Sequence, residues 1–316
     1  MTLRLFFASD VHGSEVCFRK FLNAAKFYKA NIIVLGGDLT GKALVPVVML
    51  PDGRYRLTVD DKRLIAKDSA LEEYKTKLRN SGFYLFTTTE EELEEITKDK
   101  KKMDAVFLEA IKSSLKSWME LAGQRLGGSG VKCYISPGND DRFELDEVLK
   151  ERNFVINPEG RVVELEGDYE MITLGYSNPT PWHSPREVPE EQLADMIGHL
   201  ADGIRDRAKS IFNIHVPPYS TEIDKAPAVD SELRFQRQGL GSVKMTSAGS
   251  TAVRAYIEKY QPLLGLHGHI HESRGFVKLG RTLCVNAGSD YGQGILRGAL
   301  IDLNGSSVKE YILTTG

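Results

Sequence analysis

Five short stretches of this 316-residue chain carry side chains able to hold a metal ion, and each follows an apolar run. Phe6-Phe7-Ala8-Ser9 leads to Asp10 and His12, Ile33-Val34-Leu35-Gly36-Gly37 to Asp38, and Tyr134-Ile135-Ser136-Pro137-Gly138 to Asn139, Asp140 and Asp141. Phe212-Asn213-Ile214 leads to His215, and Leu264-Gly265-Leu266-His267-Gly268 to His269 and His271. Asp-x-His and His-x-His put two donors on one side of an extended backbone, which suits chelation. Carboxylates mixed with imidazoles suit zinc, manganese, iron or nickel better than calcium or magnesium. Singly, each stretch has a plainer use. Asp10 or His12 could cap the following helix, and Gly-Gly-Asp and Pro-Gly-Asn-Asp are common turns. Together, Asp10, His12, Asp38, Asn139, His215, His269 and His271 are too many for one open catalytic ion. They suit two ions sharing a bridging carboxylate.

In this order the stretches resemble the calcineurin-like metallophosphoesterase superfamily. Its pattern is Asp-x-His, Gly-Asp, Gly-Asn-His followed by Asp or Glu, His, and Gly-His-x-His, and the match runs from Asp10 to His271. The resemblance implies that Asp10, His12 and His271 hold one metal. Asn139, through its amide oxygen, His215 and His269 would hold the other, and Asp38 would bridge them. It implies an α/β fold, a four-layer α/β/β/α sandwich of two mixed sheets packed face to face with flanking helices. It also implies hydrolysis of phosphoric esters, in which a hydroxide activated by two divalent transition-metal ions attacks phosphorus in line. Manganese is the expected ion, with iron, zinc or nickel as alternatives.

One position departs from that pattern. Where the family has a histidine after the asparagine, as a hydrogen-bond donor or general acid, this chain has Asp140. Asp141 matches the family's trailing acidic residue, but the histidine it usually serves is missing. Members with a substituted third block resemble phosphodiesterases. The expected substrate is therefore a small phosphodiester or nucleotide-like molecule, and the expected catalytic set is Asp38, Asn139, His215 and Asp140. A phosphomonoesterase or nuclease of the same superfamily is the alternative. A non-catalytic metal-binding scaffold is the rival from another class, although scaffolds tend to lose ligands and all are present here.

Ligands at the ends of strands require strands that end together, and open α/β sheets bind at that edge. Residues 3–9 and 31–37 read as buried strands, with a helical stripe over 14–30 between them. That is a parallel strand–helix–strand unit. Residues 41–126 interrupt the rhythm as an insertion packed on the core of a single domain covering 1–316. A hairpin turning at Asp52–Gly53 is predicted there, with Pro46 making its first arm an edge strand. Helices follow, over Ala70–Gly82 and in one long run from Thr89, which forms a capping box with Glu92. The α/β pattern resumes at 131–136, with a hairpin at 161–175, a helix near 189–207 and a strand at 210–218. Residues 220–248 are polar and irregular, 250–260 are helical, and a hairpin turning at Asn304–Gly305 ends the pattern. The residues after His271 thus read as core strands, not as an added nucleic-acid-binding domain.

Other candidates are weaker. The loop 175–183 could rim the site, with His183 reaching the substrate, and Arg274 could contact phosphate. His267 is a supporting residue and His199 a structural one. Gly127–Lys132 lacks phosphate-loop spacing and reads as a helix end.

A net charge of −3 and a pI near 6.2 give no broad positive field for nucleic acid or an anionic membrane. Three cysteines, with no C-x-x-C pair, argue against a disulfide framework or a thiolate zinc site. The N-terminus reads as a strand, not a signal peptide, and no apolar stretch could span a membrane. A cytoplasmic location is the expectation.

Overall fold

The computed structural model describes residues 2–59, 61–150, 154–239 and 241–316, and it is a mixed α/β structure. Two six-stranded sheets carry it. In the first, Leu3–Ala8, Ile32–Gly36 and Lys132–Ser136 lie side by side and parallel, with Leu5 against Ile32 and Ile32 against Lys132. The hairpin Arg297–Asn304/Ser307–Thr315 extends this sheet antiparallel on the Leu3–Ala8 side. In the second, Tyr169–Leu174, Ser210–Ile214, Leu264–His267 and Thr282–Asn286 are parallel neighbours.

The central strands read as continuous apolar runs because both of their faces are buried. Leu5, Phe7, Ile32 and Val34 face one way and meet Met171, Ile211, Leu264 and Val285 of the other sheet in one cluster. Phe6, Ala8, Ile33 and Leu35 face the other way and pack on the helices Glu15–Phe27 and Lys100–Leu126. On the far side, Ile172, Phe212 and Ile214 pack on the helices Glu190–Asp202 and Thr251–Tyr260.

The region 41–126 differs from its sequence reading. Ala43–Met49 is not an edge strand; it lies between Tyr55–Val59 and Phe83–Thr88 in a four-stranded sheet. Proline is tolerated there because antiparallel pairing with Tyr55–Val59 involves only Val48 and Met49, which leaves Pro46 flanked on one side. The long helix is two, Glu90–Lys98 and Lys100–Leu126. Asp99 takes an extended conformation (φ −123°, ψ 106°) and caps the second by accepting from Lys101 N at 2.9 Å. The Thr89–Glu92 capping box is present. The hairpin-plus-helix reading also missed the strands Lys62–Ala66 and Phe83–Thr88. Within 220–248, Lys225–Pro227 pairs with Met245–Ser247, and Arg237–Gln238 with Ser242–Val243.

Candidate metal centre

Within each sheet the strands that precede the ligand stretches run parallel to one another, so their carboxyl ends gather at one edge of the two sheets. The turns there are joined by backbone hydrogen bonds. Asp10 N donates to Gly37 O and His12 N to Asp38 O, both at 3.0 Å, and Gly268 N donates to His215 O at 2.9 Å. Asp10, His12, Asp38 and His269 all have positive φ, at 56°, 38°, 48° and 67°. Such backbone costs about 1–3 kcal/mol per residue, and it is held here by the surrounding pairs. Two glycines allow the turns to touch. A Cβ on Gly138 would lie 2.2 Å from Asp38 N, and one on Gly268 would lie 2.2 Å from Asp10 Oδ2.

All seven expected ligands come together. Asp10, His12 and His271 form one group whose donor atoms lie within 4.8 Å of one another, and Asp38, His215 and His269 form a second. Asn139 joins the second group, its Oδ1 lying 2.8 Å from His269 Nδ1. Asp38 stands between the groups: Oδ2 is 3.6 Å from His12 Nε2, and Oδ1 is 3.4 Å from His215 Nε2. His12 Nε2 and His271 Nε2 face each other at 3.1 Å.

Paired carboxylates and imidazoles at these distances fit divalent cations. His215 illustrates this. Its Nδ1 lies 3.0 Å from Gly36 O, which orients the ring as a donor there, while the buried Nε2 has no hydrogen-bond partner. Burial, with His271 nearby, lowers the His12 pKa to about 4. Burial, with His215 nearby, lowers that of His269 to about 3, so both rings are neutral, the form that ligates. Burial raises the Asp10 carboxyl, but the hydrogen bond from His271 and the charge of His215 outweigh it and hold it well below the usual carboxylate range.

Several contributors were missed in the sequence. Asp141 has a client after all, the Asp38 turn. Its buried carboxylate accepts from Leu39 N (2.9 Å), Thr40 N (3.0 Å), Thr40 Oγ1 (2.6 Å) and Gly138 N (2.8 Å). Lys42 forms an ion pair with Asp140, and Ser184 Oγ donates to the same carboxylate at 2.5 Å. Arg186, among the largest fully buried side chains, donates from Nε to Asp141 O at 2.8 Å, and its backbone N donates to Asn139 O at 3.0 Å. No spacing rule marks Lys42, Ser184 or Arg186, because each reaches the site through tertiary packing.

The lesser candidates divide. Asn178, Thr180, Trp182 and Ser184 line a cleft of about 550 Å³ opening onto Asp38, Asn139, His269 and His271, so the loop 175–183 does rim the site. His183 is exposed and is not among the residues lining that cleft. Arg274 does not face the site; it donates to Thr314 O at 2.8 Å, because its neighbour in space is the C-terminal strand. His267 is buried, with Nδ1 2.7 Å from Ile214 O, and His199 lies exposed on its helix. Gly127–Lys132 is the helix end and turn expected, with Ser129 N donating to Leu126 O at 3.0 Å.

No family model matches the sequence. The chain is 32% identical over 153 residues to the uncharacterized protein MJ1162 of Methanocaldococcus jannaschii, a region that is 48% of this chain and 61% of that relative. The chain thus spans about three fifths of the length of the curated relative it matches. The crystal structure of TT1561 of Thermus thermophilus is similar at a TM-score of 0.55 and 16% identity, over 100% of this chain and 99% of that one. A novel archaeal phosphodiesterase is similar at a TM-score of 0.38 and 11% identity, over 99% of this chain and 100% of that one. The fold of TT1561 is shared. The structure brings together the ligand stretches on which the sequence resemblance rests.

Proposed function

We propose that the protein is a metal-dependent phosphoesterase that hydrolyses small phosphodiesters, with Asp10, His12, Asp38, Asn139, His215, His269 and His271 as ligands to two divalent cations. The observation that carries this reading is Asp38, whose two oxygens are directed separately toward His12 and His215, one in each ligand group. When bound, two such ions supply Lewis acidity toward phosphoryl oxygens and a nucleophile at neutral pH. The chain's own residues do the rest. The backbone N of Asp140 holds Asp38 Oδ1 at 3.0 Å, and His269 N holds Asp10 Oδ1 at 3.0 Å, fixing both carboxylates. Lys42 and Ser184 hold Asp140 at the mouth, beside the position a phosphoryl group would take.

The apolar clusters between and outside the two six-stranded sheets support the four-layer α/β/β/α arrangement, and the burial of Ile111, Leu115 and Trp118 against Phe18 supports one domain with an insertion at about 41–126. The test combines ion analysis of protein purified without added metal with an assay of bis(p-nitrophenyl) phosphate hydrolysis in manganese. Two bound ions and turnover are expected. Asp38→Asn is expected to lose both, and full activity in that variant would overturn the assignment.

A further inference from the structure

His12 is held differently from His215. A ligating imidazole is usually oriented by a hydrogen bond from its second nitrogen. His215 has one, between Nδ1 and Gly36 O at 3.0 Å. In His12 the nitrogen turned to the ligand group is Nε2, 3.1 Å from His271 Nε2 and 3.6 Å from Asp38 Oδ2. Its Nδ1 is buried and, among the described residues, has no hydrogen-bond partner. What meets the ring instead is the half-buried Tyr291. The two ring centroids lie 4.7 Å apart at an interplanar angle of 41°. The same tyrosine meets the ring of His271 edge-on, at 6.0 Å and 89°. One aromatic side chain therefore borders both imidazoles of the group Asp10, His12 and His271. In the other group, among the described residues, His215 and His269 make ring contact with each other alone.

Tyr291 is itself wedged in place. It opens the 3₁₀ turn Tyr291–Gln293, which is tied at three points. Ser289 Oγ donates to Asp10 O at 2.6 Å, Lys20 Nζ to Gly294 O at 2.7 Å, and Arg297 Nε to Asp290 Oδ2 at 2.5 Å. Gly82, from the insertion, closes in on both partners. A Cβ there would lie 2.2 Å from His12 O and 3.3 Å from Tyr291 Cε2, and the residue has φ 86°, so the approach needs a glycine. Ser14 Oγ holds this turn of the insertion to the start of the helix Glu15–Phe27, donating to Asn80 O at 2.5 Å.

We propose that Tyr291 is a positioning residue for His12, its ring, seated against Gly82 of the insertion, fixing the imidazole plane in place of the hydrogen bond that Nδ1 lacks. The inference rests on the metal-centre reading and adds to it a residue that acts through a ligand. It is selective. Tyr291 serves the ion of Asp10, His12 and His271, and leaves the ion of Asn139, His215 and His269 to its own supports.

That selectivity supplies the test. Metal-free wild type, Tyr291→Phe and Tyr291→Ala are titrated with manganese by calorimetry and followed by electron paramagnetic resonance, with circular dichroism as the check on folding. Wild type should bind two ions and show the exchange-coupled spectrum of a bridged pair. Tyr291→Ala should weaken one ion by about 10- to 100-fold, the usual worth of a residue that orients a ligand histidine, and keep the other within about twofold. Its spectrum at limiting manganese should be that of a single, uncoupled ion. Tyr291→Phe, which keeps the ring, should match wild type. Where Tyr291→Ala does not fold, Tyr291→Leu carries the same expectation. Two ions bound as in wild type, or both weakened alike, would overturn the inference, as would a Tyr291→Phe as impaired as the alanine variant. Wild type that binds fewer than two ions would overturn the metal-centre reading, and this inference with it.

Discussion

Asp38 Oδ1 lies 3.4 Å from Nε2 of His215, and both side chains are buried. Burial alone would lower the imidazole's basicity, but the Asp38 and Asp10 carboxylates outweigh it and raise His215 to about 10. Burial raises the Asp38 carboxyl as well, so this pair retains a proton at neutral pH. An imidazole must be neutral to ligate, so cation loading has to expel that proton. His12 and His269, lowered to about 4 and 3, have none to lose. The sign follows. Below about pH 10 protons compete with the metal at His215, and affinity rises with pH across the neutral range. Burial lowers His271, but the hydrogen bond to Asp10 and the charge of that carboxylate outweigh it and raise this ring too, so calorimetric titration with manganese in buffers of different ionisation enthalpy should report net proton release. No release, together with affinity flat from pH 6 to pH 8, would refute the pairing.

Asp141 should be a stability and metal-affinity residue without touching substrate. Removing its carboxylate leaves the backbone N–H groups of Leu39, Thr40 and Gly138 unpaired in a buried turn. Unpaired buried donors cost about 1–3 kcal/mol each before relaxation. Asp141→Ala is expected to lose about 2–4 kcal/mol in urea unfolding of the metal-free protein, with Asp141→Asn intermediate because it keeps one acceptor oxygen. Unchanged urea midpoints in both variants would remove Asp141 from this role.

The insertion should unfold with the rest of the chain. Ile111, Leu115, Trp118 and Ala122 share a cluster with Phe18, Phe21 and Ile33, so excising the whole of 41–126 would strip one face of the first sheet. Trp118→Ala should cost about 3–5 kcal/mol as a large-to-small change in a packed core. Denaturant unfolding of Trp182→Phe, followed by Trp118 fluorescence and by circular dichroism, should give coincident transitions. An earlier fluorescence transition would make the insertion a separate unit.

The ligand set was legible because each member sits one to four residues beyond a buried strand, and strand ends are visible as the close of an apolar run. Parallel order followed from helices placed between strands, as for Glu15–Phe27 between Leu3–Ala8 and Ile32–Gly36. Residues 41–126 were harder for the opposite reason. The strand Lys62–Ala66 is mostly exposed, its pattern carries no clear alternation, and Phe83–Thr88 is short and lies between helical, highly charged runs. Pro46 misled because pairing on one side ends before it reaches the proline. The partners of Asp140 and Asp141 were illegible because they come from positions as distant as Ser184 and Thr40, joined only by the fold.

Asp140 should bias the enzyme toward good leaving groups. It occupies the place where the resembling family carries a histidine able to donate a proton. Burial alone would raise its carboxyl, but the Lys42 ammonium and the Ser184 hydroxyl outweigh this and hold it below the usual range, hence ionised. An ionised carboxylate has no proton for a departing alkoxide. Its charge also opposes a monoester dianion more than a diester monoanion, although Lys42 offsets part of that field. The missing proton is therefore the larger effect, since general-acid assistance is worth about 10²–10⁴ in rate. Two variants separate the contributions. Asp140→Asn removes charge without adding an acid, and should shift the monoester-to-diester ratio only modestly. Asp140→His adds the acid, and should raise hydrolysis of an alkyl monoester relative to a p-nitrophenyl diester by at least about tenfold. A wild-type enzyme that already favours alkyl monoesters, or a ratio unmoved in Asp140→His, would give Asp140 a different role, as an anchor for Lys42 and Ser184 alone.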